Sequence, residues 1–354
     1  MAVLVTGVGY VGGYAVRDLV AAGKRVVLFG YLGGNGDVAG TDLPELDYLD
    51  YLVGGDLREK VDVVVGDVSD LDAMTRAAER FGVRSVMHFA TLLSSAAQSN
   101  PLLAAHVNVI GTANVFEVAA RLALEKVVWA SSTTIFGPRS VPESGVLTDD
   151  CVYDPEWIYG ASKVMSEKLA VAYSDKHGTD ITGLRLSRVY GFGEYIKMSR
   201  GGGSSWLANL LYTPAVDGGP TTVPFGRRNL DFLYVEDVAD AFVKALNFRS
   251  DKGSGNYIIS GDYRPISEAV DFVSRLLPDT QITLDMEDLV LPLGSGLAFS
   301  HHLDSSRAAT DFGYRSRYTM EAGVYRTINR NRVFAGLPSI PDRLHGQSFL
   351  DNVR

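Results

Sequence analysis

Cys151 is the only cysteine in 354 residues, so neither a disulfide framework nor a cysteine-type zinc site can form. Long runs of one charge are missing too. The 33 Lys and Arg and 42 Asp and Glu are dispersed, and the net charge of −9 argues against nucleic acid or a membrane surface as the main partner. No apolar stretch approaches the ~20 residues of a membrane span. The chain opens directly on a strand-like run, which leaves no room for a leader and predicts a cytoplasmic protein. The His301-His302 pair lacks a third ligand at metal spacing and reads as loop polarity, so no metal is expected. No internal repeat is present. With 46% hydrophobic residues the chain can bury a substantial core, in one large domain or two closely joined ones.

What is there begins at residue 3. Val3-Leu4-Val5-Thr6 is an apolar run that breaks into Gly7-Val8-Gly9-Tyr10-Val11-Gly12, followed by helix-compatible sequence from Tyr14 to Ala22. Strand, G-x-G-x-x-G turn and helix in that order form a dinucleotide-binding fingerprint. Gly7 permits the tight turn, Gly9 lets backbone N–H groups approach a pyrophosphate, and Gly12 lets the helix pack on the strand. Tyr10 and Val11 fall within the same turn.

Short, nearly continuous apolar runs follow at Val26–Phe29, Val61–Val65, Val83–Phe89 and Lys126–Ala130. They suit strands buried on both faces of a parallel sheet. Leu71–Phe81 and Ala104–Leu122 between them have helical length and spacing, which gives the βαβαβ pattern of a doubly wound sheet. The insert Tyr31–Lys60 has no clear period and reads as a loop with room for a short helix. Past Leu186 the texture changes to glycine-rich loops at Ser199–Gly203 and Val216–Pro220, which suggest a substrate-facing region. A strand running into a helix is expected over Asn229–Leu246, a strand over Asn256–Ser260 and an amphipathic helix over Ile266–Leu277. The expected fold is therefore α/β, a Rossmann-type doubly wound parallel sheet with a smaller, interleaved C-terminal substrate domain. Residues 1–184 with 229–260 form the dinucleotide domain, 185–228 with 261–333 the substrate domain, and 334–354 a tail.

Tyr159-Gly-Ala-Ser-Lys163 carries the chemistry. Four residues apart on a helix, the phenol and the ammonium share a face. A free tyrosine has a pKa of roughly 10, and an adjacent Lys⁺ and an oxidised nicotinamide are expected to pull it down toward a usable base. The strand Lys126–Ala130 ends in Ser131-Ser132-Thr133-Thr134, where hydroxyls at the carboxyl end of a parallel strand can bond a substrate oxygen.

Together these stretches resemble the extended short-chain dehydrogenase/reductases, specifically the NAD-dependent sugar epimerase/dehydratase family, from Val3 to about Val333. The resemblance implies Ser132, Tyr159 and Lys163 as catalytic residues. It places Asp67 and Val68 at the adenine and Phe89, Ala90 and Thr91 along the cofactor. Asn108 braces the site, and Ser187 joins Tyr159 and Lys163 among the cofactor contacts. Ser132 and Thr133 are the expected substrate contacts at the strand end. Arg188 and Arg227, where the sequence departs from the family, are added to them, Arg188 needing either a protein acid or an anionic group on the substrate. Helices 104–122 and 157–177 are the implied surface of a homodimer. The implied substrate is a small molecule, a sugar or nucleotide sugar.

The departures from the family pattern are informative. The glycine turn is one residue shorter than G-x-x-G-x-x-G. Gly30 occupies the register of the acid that holds the adenosine ribose, and nothing from Tyr31 to Gly36 is basic. NAD is favoured over NADP, which stays open, with Asp37 as a substitute ribose partner. Thr133 and Thr134 stand where dehydratases carry an Asp–Glu pair, which argues against a 4,6-dehydratase. Arg188 stands where an Asn is common, and Leu230 where an Arg clamps the substrate pyrophosphate, with Arg200, Arg227 and Arg228 as stand-ins. The expected activity is epimerisation through a transient keto intermediate. The alternatives are a dehydrogenase or reductase with net product release, and a catalytically silent NAD-binding protein.

Overall fold

The structure is a computed structural model and describes residues 2–30, 44–199, 206–250, 253–286, 300–344 and 347–348. Ala2–Thr6 (β1) is an inner strand of a seven-stranded sheet. Its alternate side chains feed two separate cores. Val3 and Val5 pack in one buried cluster with Tyr14 and Val16, and Ala2 and Leu4 in another with Met74 and Val115. Burial on both faces is why this strand reads as a continuous apolar run. On one side of β1 lie Arg25–Phe29 (β2) and Asp62–Val64 (β3). On the other lie Val83–His88 (β4), Lys126–Ser132 (β5), Ile181–Leu186 (β6) and Ser254–Ile259 (β7). All neighbours pair in parallel, in the order β7-β6-β5-β4-β1-β2-β3. Thr6 faces both Phe29 and His88 across the register, and Ser132 faces Leu186, so the strands end together along one rim.

Helices Tyr10–Ala21 (α1), Pro44–Val53 (α2), Leu71–Phe81 (α3), Gly111–Arg121 (α4), Ile158–His177 (α5) and Val235–Asn247 (α6) belong with this sheet. The α3 ends follow local rules: Asp70 caps the first turn by accepting from Ala73 N at 2.9 Å, and Gly82 at φ 60° terminates it. A three-stranded sheet joins Arg188–Tyr190, Asn229–Tyr234 and Asp262–Pro265. It adjoins Ile266–Leu276 (α7) and Met320–Phe334 (α8). Beyond α8 the chain folds back. Ile340 exchanges hydrogen bonds with Asn329, and its carbonyl also accepts from Tyr325 Oη at 2.9 Å.

Several expectations are corrected. The insert 31–60 carries two helices, α2 and Leu57–Lys60, because Tyr48, Leu49 and Leu52 find a buried face against α1. Asp37 lies outside the described residues. The strand Asn229–Tyr234, expected with the large sheet, pairs instead with Arg188–Tyr190 and Asp262–Pro265. The single helix expected over 104–122 starts at Pro101 and contains a π-helical turn, Ala105–Ile110, before α4. This run, Pro101–Arg121, is 21 residues long and contains an 18-residue window of mean hydropathy 1.3, enough by length and composition to cross a membrane. Here it is a helix of the fold: Asn108, Thr112 and Asn114 on it direct hydrogen bonds toward neighbouring elements.

Candidate active site

The glycine turn is fixed by sterics. Gly7 sits at φ 77°, and a Cβ there would lie 2.2 Å from the backbone nitrogen of Ala90. A Cβ on Gly12 would lie 2.6 Å from the carbonyl of Gly7. Gly9 caps α1 without a side chain, which leaves the first N–H groups of the helix to face whatever approaches. Tyr10 is buried, and its carbonyl accepts from Tyr48 Oη at 2.8 Å, so α2 holds the turn from behind. These are the features a pyrophosphate cradle requires.

The rest of the predicted cofactor rim follows. Asp67 accepts from both the N–H and the hydroxyl of Ser69, at 2.8 and 2.7 Å. Val68 packs so closely on Gly111 that a Cβ there would meet it at 2.5 Å. The Phe89 ring lies 4.3 Å from that of Phe242, and its N–H extends the β1 pairing to Thr6. Gly30, in the ribose-acid register, donates its N–H to Val64 at φ 152°. Ser187 donates its hydroxyl to the buried Asp231, which commits that side chain to the joint between β6 and the small sheet.

Asn108, on the π-helical turn, ties the rim to α5. Its side-chain oxygen accepts from Leu92 N at 2.7 Å and Thr91 Oγ1 at 3.0 Å. Its amide donates to Leu92 O at 3.0 Å and Ser162 Oγ at 3.3 Å. Ser162, between Tyr159 and Lys163, donates to the carbonyl of Tyr159 at 2.7 Å. Placing such a residue on a π-turn agrees with where these turns recur. Beneath it His88 bridges Thr6 Oγ1 at 2.6 Å and Thr112 Oγ1 at 2.9 Å. Thr112 donates to the Asn108 carbonyl, so Nε2 of His88 carries the proton and Nδ1 accepts from Thr6. Burial pushes His88 down to about 3 and keeps it neutral.

Ser132, Tyr159 and Lys163 converge at the carboxyl end of β5. Burial pushes Tyr159 up to about 12, and the hydrogen bond with Ser132 partly offsets this. Lys163 donates to the carbonyl of Ala130 at 2.8 Å and lies 5.4 Å from the centre of the Tyr159 ring. Burial pushes Lys163 down to about 7, opposed by the carboxylate of Glu167. The lowering of Tyr159 expected from Lys163 and an oxidised nicotinamide together is not supplied by the protein's own groups, among which burial dominates. With its own ammonium weakened by burial, the protein alone leaves the phenol protonated at neutral pH.

The substrate side departs further from expectation. Thr133 is fully buried and donates to Leu186 O at 3.2 Å, so its hydroxyl faces the sheet rather than a substrate. Thr134 donates to Ser132 Oγ from both N–H and hydroxyl, at 3.2 and 3.0 Å, and lines a small cleft with Ser94, Phe136, Glu156, Trp157, Tyr159 and Gly160. Ser94, Glu156 and Trp157 were missed in the sequence. The available signal was position, since Glu156-Trp157 immediately precede the catalytic helix. Arg188 is buried with its guanidinium 2.6 Å from Glu194 Oε1 and 2.6 Å from the carbonyl of Val189. It is locked to a protein carboxylate, and the expectation that it grips the substrate is withdrawn. Arg227 is exposed on the loop before Asn229–Tyr234, and Leu230 is buried in that strand. Arg200 lies outside the described residues.

A doubly wound parallel sheet, a glycine cradle at the end of its first strand and a Ser-Tyr-Lys set at its carboxyl rim define a dinucleotide-dependent oxidoreductase. The model of the NAD dependent epimerase/dehydratase family matches residues 3–260, and the chain belongs to that family. It is 28% identical over 311 residues to an uncharacterized epimerase/dehydratase of Staphylococcus haemolyticus, covering 84% of this chain and 94% of that one. Among solved structures it is similar to the UDP-glucose 4-epimerase of Thermus thermophilus in complex with NAD, at 24% identity and TM-score 0.72 over 94% of this chain and 99% of that one. It is also similar to an L-threonine dehydrogenase of Clostridium difficile, at 22% identity and TM-score 0.76 over 96% and 99%. The chain is an NAD-dependent enzyme of this family, and the cradle at Gly7, Gly9 and Gly12 fits that cofactor.

Proposed function

We propose that this chain epimerises a sugar or nucleotide sugar at a secondary alcohol carbon through a transient keto intermediate, with Tyr159 moving the hydroxyl proton. The observation that carries this reading is the convergence of Ser132, Tyr159 and Lys163 at the sheet rim beside the glycine cradle. NAD, when bound, supplies the hydride-accepting ring and the positive charge that favours the phenolate. Ser132, with Thr134 behind it, orients the substrate oxygen. Asn108 and Ser162 keep Tyr159 and Lys163 in register with the loop at Thr91–Leu92.

A second reading, a dehydrogenase with net product release, is favoured by one feature. The residues described beside Tyr159 in the small cleft include no guanidinium and Arg188 is engaged by Glu194, so none of them grips a pyrophosphate, which a compact neutral or zwitterionic alcohol does not need. The similarity to an L-threonine dehydrogenase supports the same reading. UDP-glucose and L-threonine, each incubated with NAD, separate the two. Interconversion of the sugar with no lasting rise in reduced nicotinamide supports the epimerase. A continuous rise with L-threonine supports the dehydrogenase. Turnover that persists in Tyr159→Phe overturns both.

We also infer a homodimer. Leu102, Leu103 and Ile110 on the 101–121 run and Met165 and Val171 on α5 leave apolar side chains exposed, Leu102 at 71%, on two helices that pack together. Light scattering that shows only monomer at micromolar concentration refutes it.

A further inference from the structure

One turn beyond Lys163 on α5 lies a second buried ionisable side chain that the reaction does not use. Glu167 is 1% exposed and has no water to solvate it, so its charge must be held by the protein. It accepts four hydrogen bonds: from Ser131 Oγ at 2.6 Å, from Tyr153 Oη at 2.8 Å, and from Arg185 Nε and Nη2 at 3.0 and 2.8 Å. Ser131 is the β5 residue just before Ser132, and Arg185 lies on β6, so one carboxylate ties the catalytic helix to both strands that end at the site. Arg185 is itself shared with Asp149, its Nη1 lying 2.6 Å from that carbonyl and 3.4 Å from Oδ1.

Lys163 stands in a different setting. It is 2% exposed, its ammonium donates to the neutral carbonyl of Ala130, and the rings of Tyr159 and Trp129 flank it. The titratable groups that face this pair are Tyr159 on the same helix, His88 on β4, Arg185 on β6 and Tyr153 from the preceding loop. His88 is neutral, Tyr159 and Tyr153 are protonated, and Arg185 is positive. Of the groups acting on Lys163, Glu167 is the one that favours the charged ammonium.

We propose that Glu167 is a positioning residue for the Tyr159–Lys163 pair: its carboxylate anchors the catalytic helix to the Ser131–Ser132 strand end and keeps the Lys163 ammonium charged across one helical turn. This rests on the reading that Tyr159 and Lys163 carry the proton chemistry. The physical reason is charge balance in a medium of low dielectric. A lysine held only by a carbonyl and two rings loses its proton readily, and a carboxylate one helical turn further along restores the preference for NH₃⁺. Deprotonated, Lys163 would leave the phenolate of Tyr159 without the neighbouring cation that stabilises it.

The test needs neither substrate nor turnover, so its outcome is separate from that of the proposed reaction. The protein is labelled with carbon-13 at lysine Cε, the Lys163 signal is assigned by its loss in Lys163→Met, and its chemical shift is followed against pH. In the wild type the midpoint is expected near 7. In Glu167→Gln, which keeps the shape but removes the charge, it should fall by about one pH unit, and in Glu167→Asp it should return. An unmoved midpoint in a folded Glu167→Gln overturns the proposal, as does an Asp variant that behaves like Gln. If Glu167→Gln does not fold because Arg185 loses its main partner, the double variant Glu167→Gln/Arg185→Gln removes both charges and is titrated instead. There the loss of the Arg185 charge acts in the opposite direction, and because Glu167 is the group that acts on Lys163, a smaller downward shift is expected. A midpoint that stays or rises overturns the proposal.

Discussion

The two halves of the site solve the problem of burying polar groups in different ways. On the cofactor side the groups are neutral and local. Gly7 and Gly12 make room by having no side chain, Asn108 is satisfied by the Thr91–Leu92 backbone and Ser162, and His88 sits uncharged between two threonines. On the substrate side the polar groups are charged and reach across elements. Arg188 meets Glu194, and the triad's own helix is anchored by Glu167 on Arg185. Neutral local contacts leave a surface whose shape the sequence motif already describes. A charged pair occupies a residue expected at the ligand, Arg188 on Glu194, whereas Thr133 is taken up by a neutral backbone carbonyl, that of Leu186.

The largest effect should come from the chemistry itself. Tyr159→Phe keeps the ring and removes the group that moves the proton, and kcat should fall by about 10³-fold or more, roughly 4 kcal/mol, with cofactor binding retained. A steady-state rate within tenfold of wild type would erase the distinction between the two sides, because neither would then carry the reaction.

Next is the charged pair on the substrate side. If Arg188 serves Glu194 and not the substrate, Arg188→Asn leaves a buried carboxylate without its guanidinium and should cost about 3–5 kcal/mol of stability. Thermal melting should show this loss. An unchanged Tm with a raised KM for an anionic substrate alone would return Arg188 to the substrate.

A pH-dependent effect of about 2 kcal/mol is expected at Lys163. The unfolded lysine titrates near 10.5, and burial lowers the folded value to about 7. Below 7 both states are protonated and the burial penalty is fully present. Between 7 and 10.5 the unfolded chain binds more protons, so stability rises with pH through that window. Lys163→Met should therefore stabilise the protein more at pH 6 than at pH 9, the difference read from paired denaturant melts. Equal stabilisation at both would mean that Lys163 is not destabilised by burial.

The smallest effect belongs to Thr133. Its hydroxyl donates to Leu186 O, so Thr133→Val should cost about 1 kcal/mol of stability and leave KM unchanged. A several-fold rise in KM would move this residue back to the substrate side.

The sequence by itself determined the architecture and picked out Ser132, Tyr159 and Lys163 as the candidates for the chemistry. The apolar runs buried on both faces, the glycine turn and the i, i+4 spacing of Tyr159 and Lys163 are local patterns, and local patterns survive in one dimension. The position of Asn108 was legible for the same reason, though not the π-turn that carries it, which depends on hydroxyls from Thr112 and from Ser166 on another helix. The helix α2 was hidden because its apolar face is defined only by the surface it meets on α1. Only the tertiary structure decided where the charges went. Glu194, Glu167 and Asp231 lie 6, 18 and 44 residues from the partners they engage at Arg188, Arg185 and Ser187. Burial, which lowers Lys163 and raises Tyr159, is a property of the packed volume around them. A chain read in order contains the groups that can pair, but which of them meet, and how far from water, is fixed only once the elements pack.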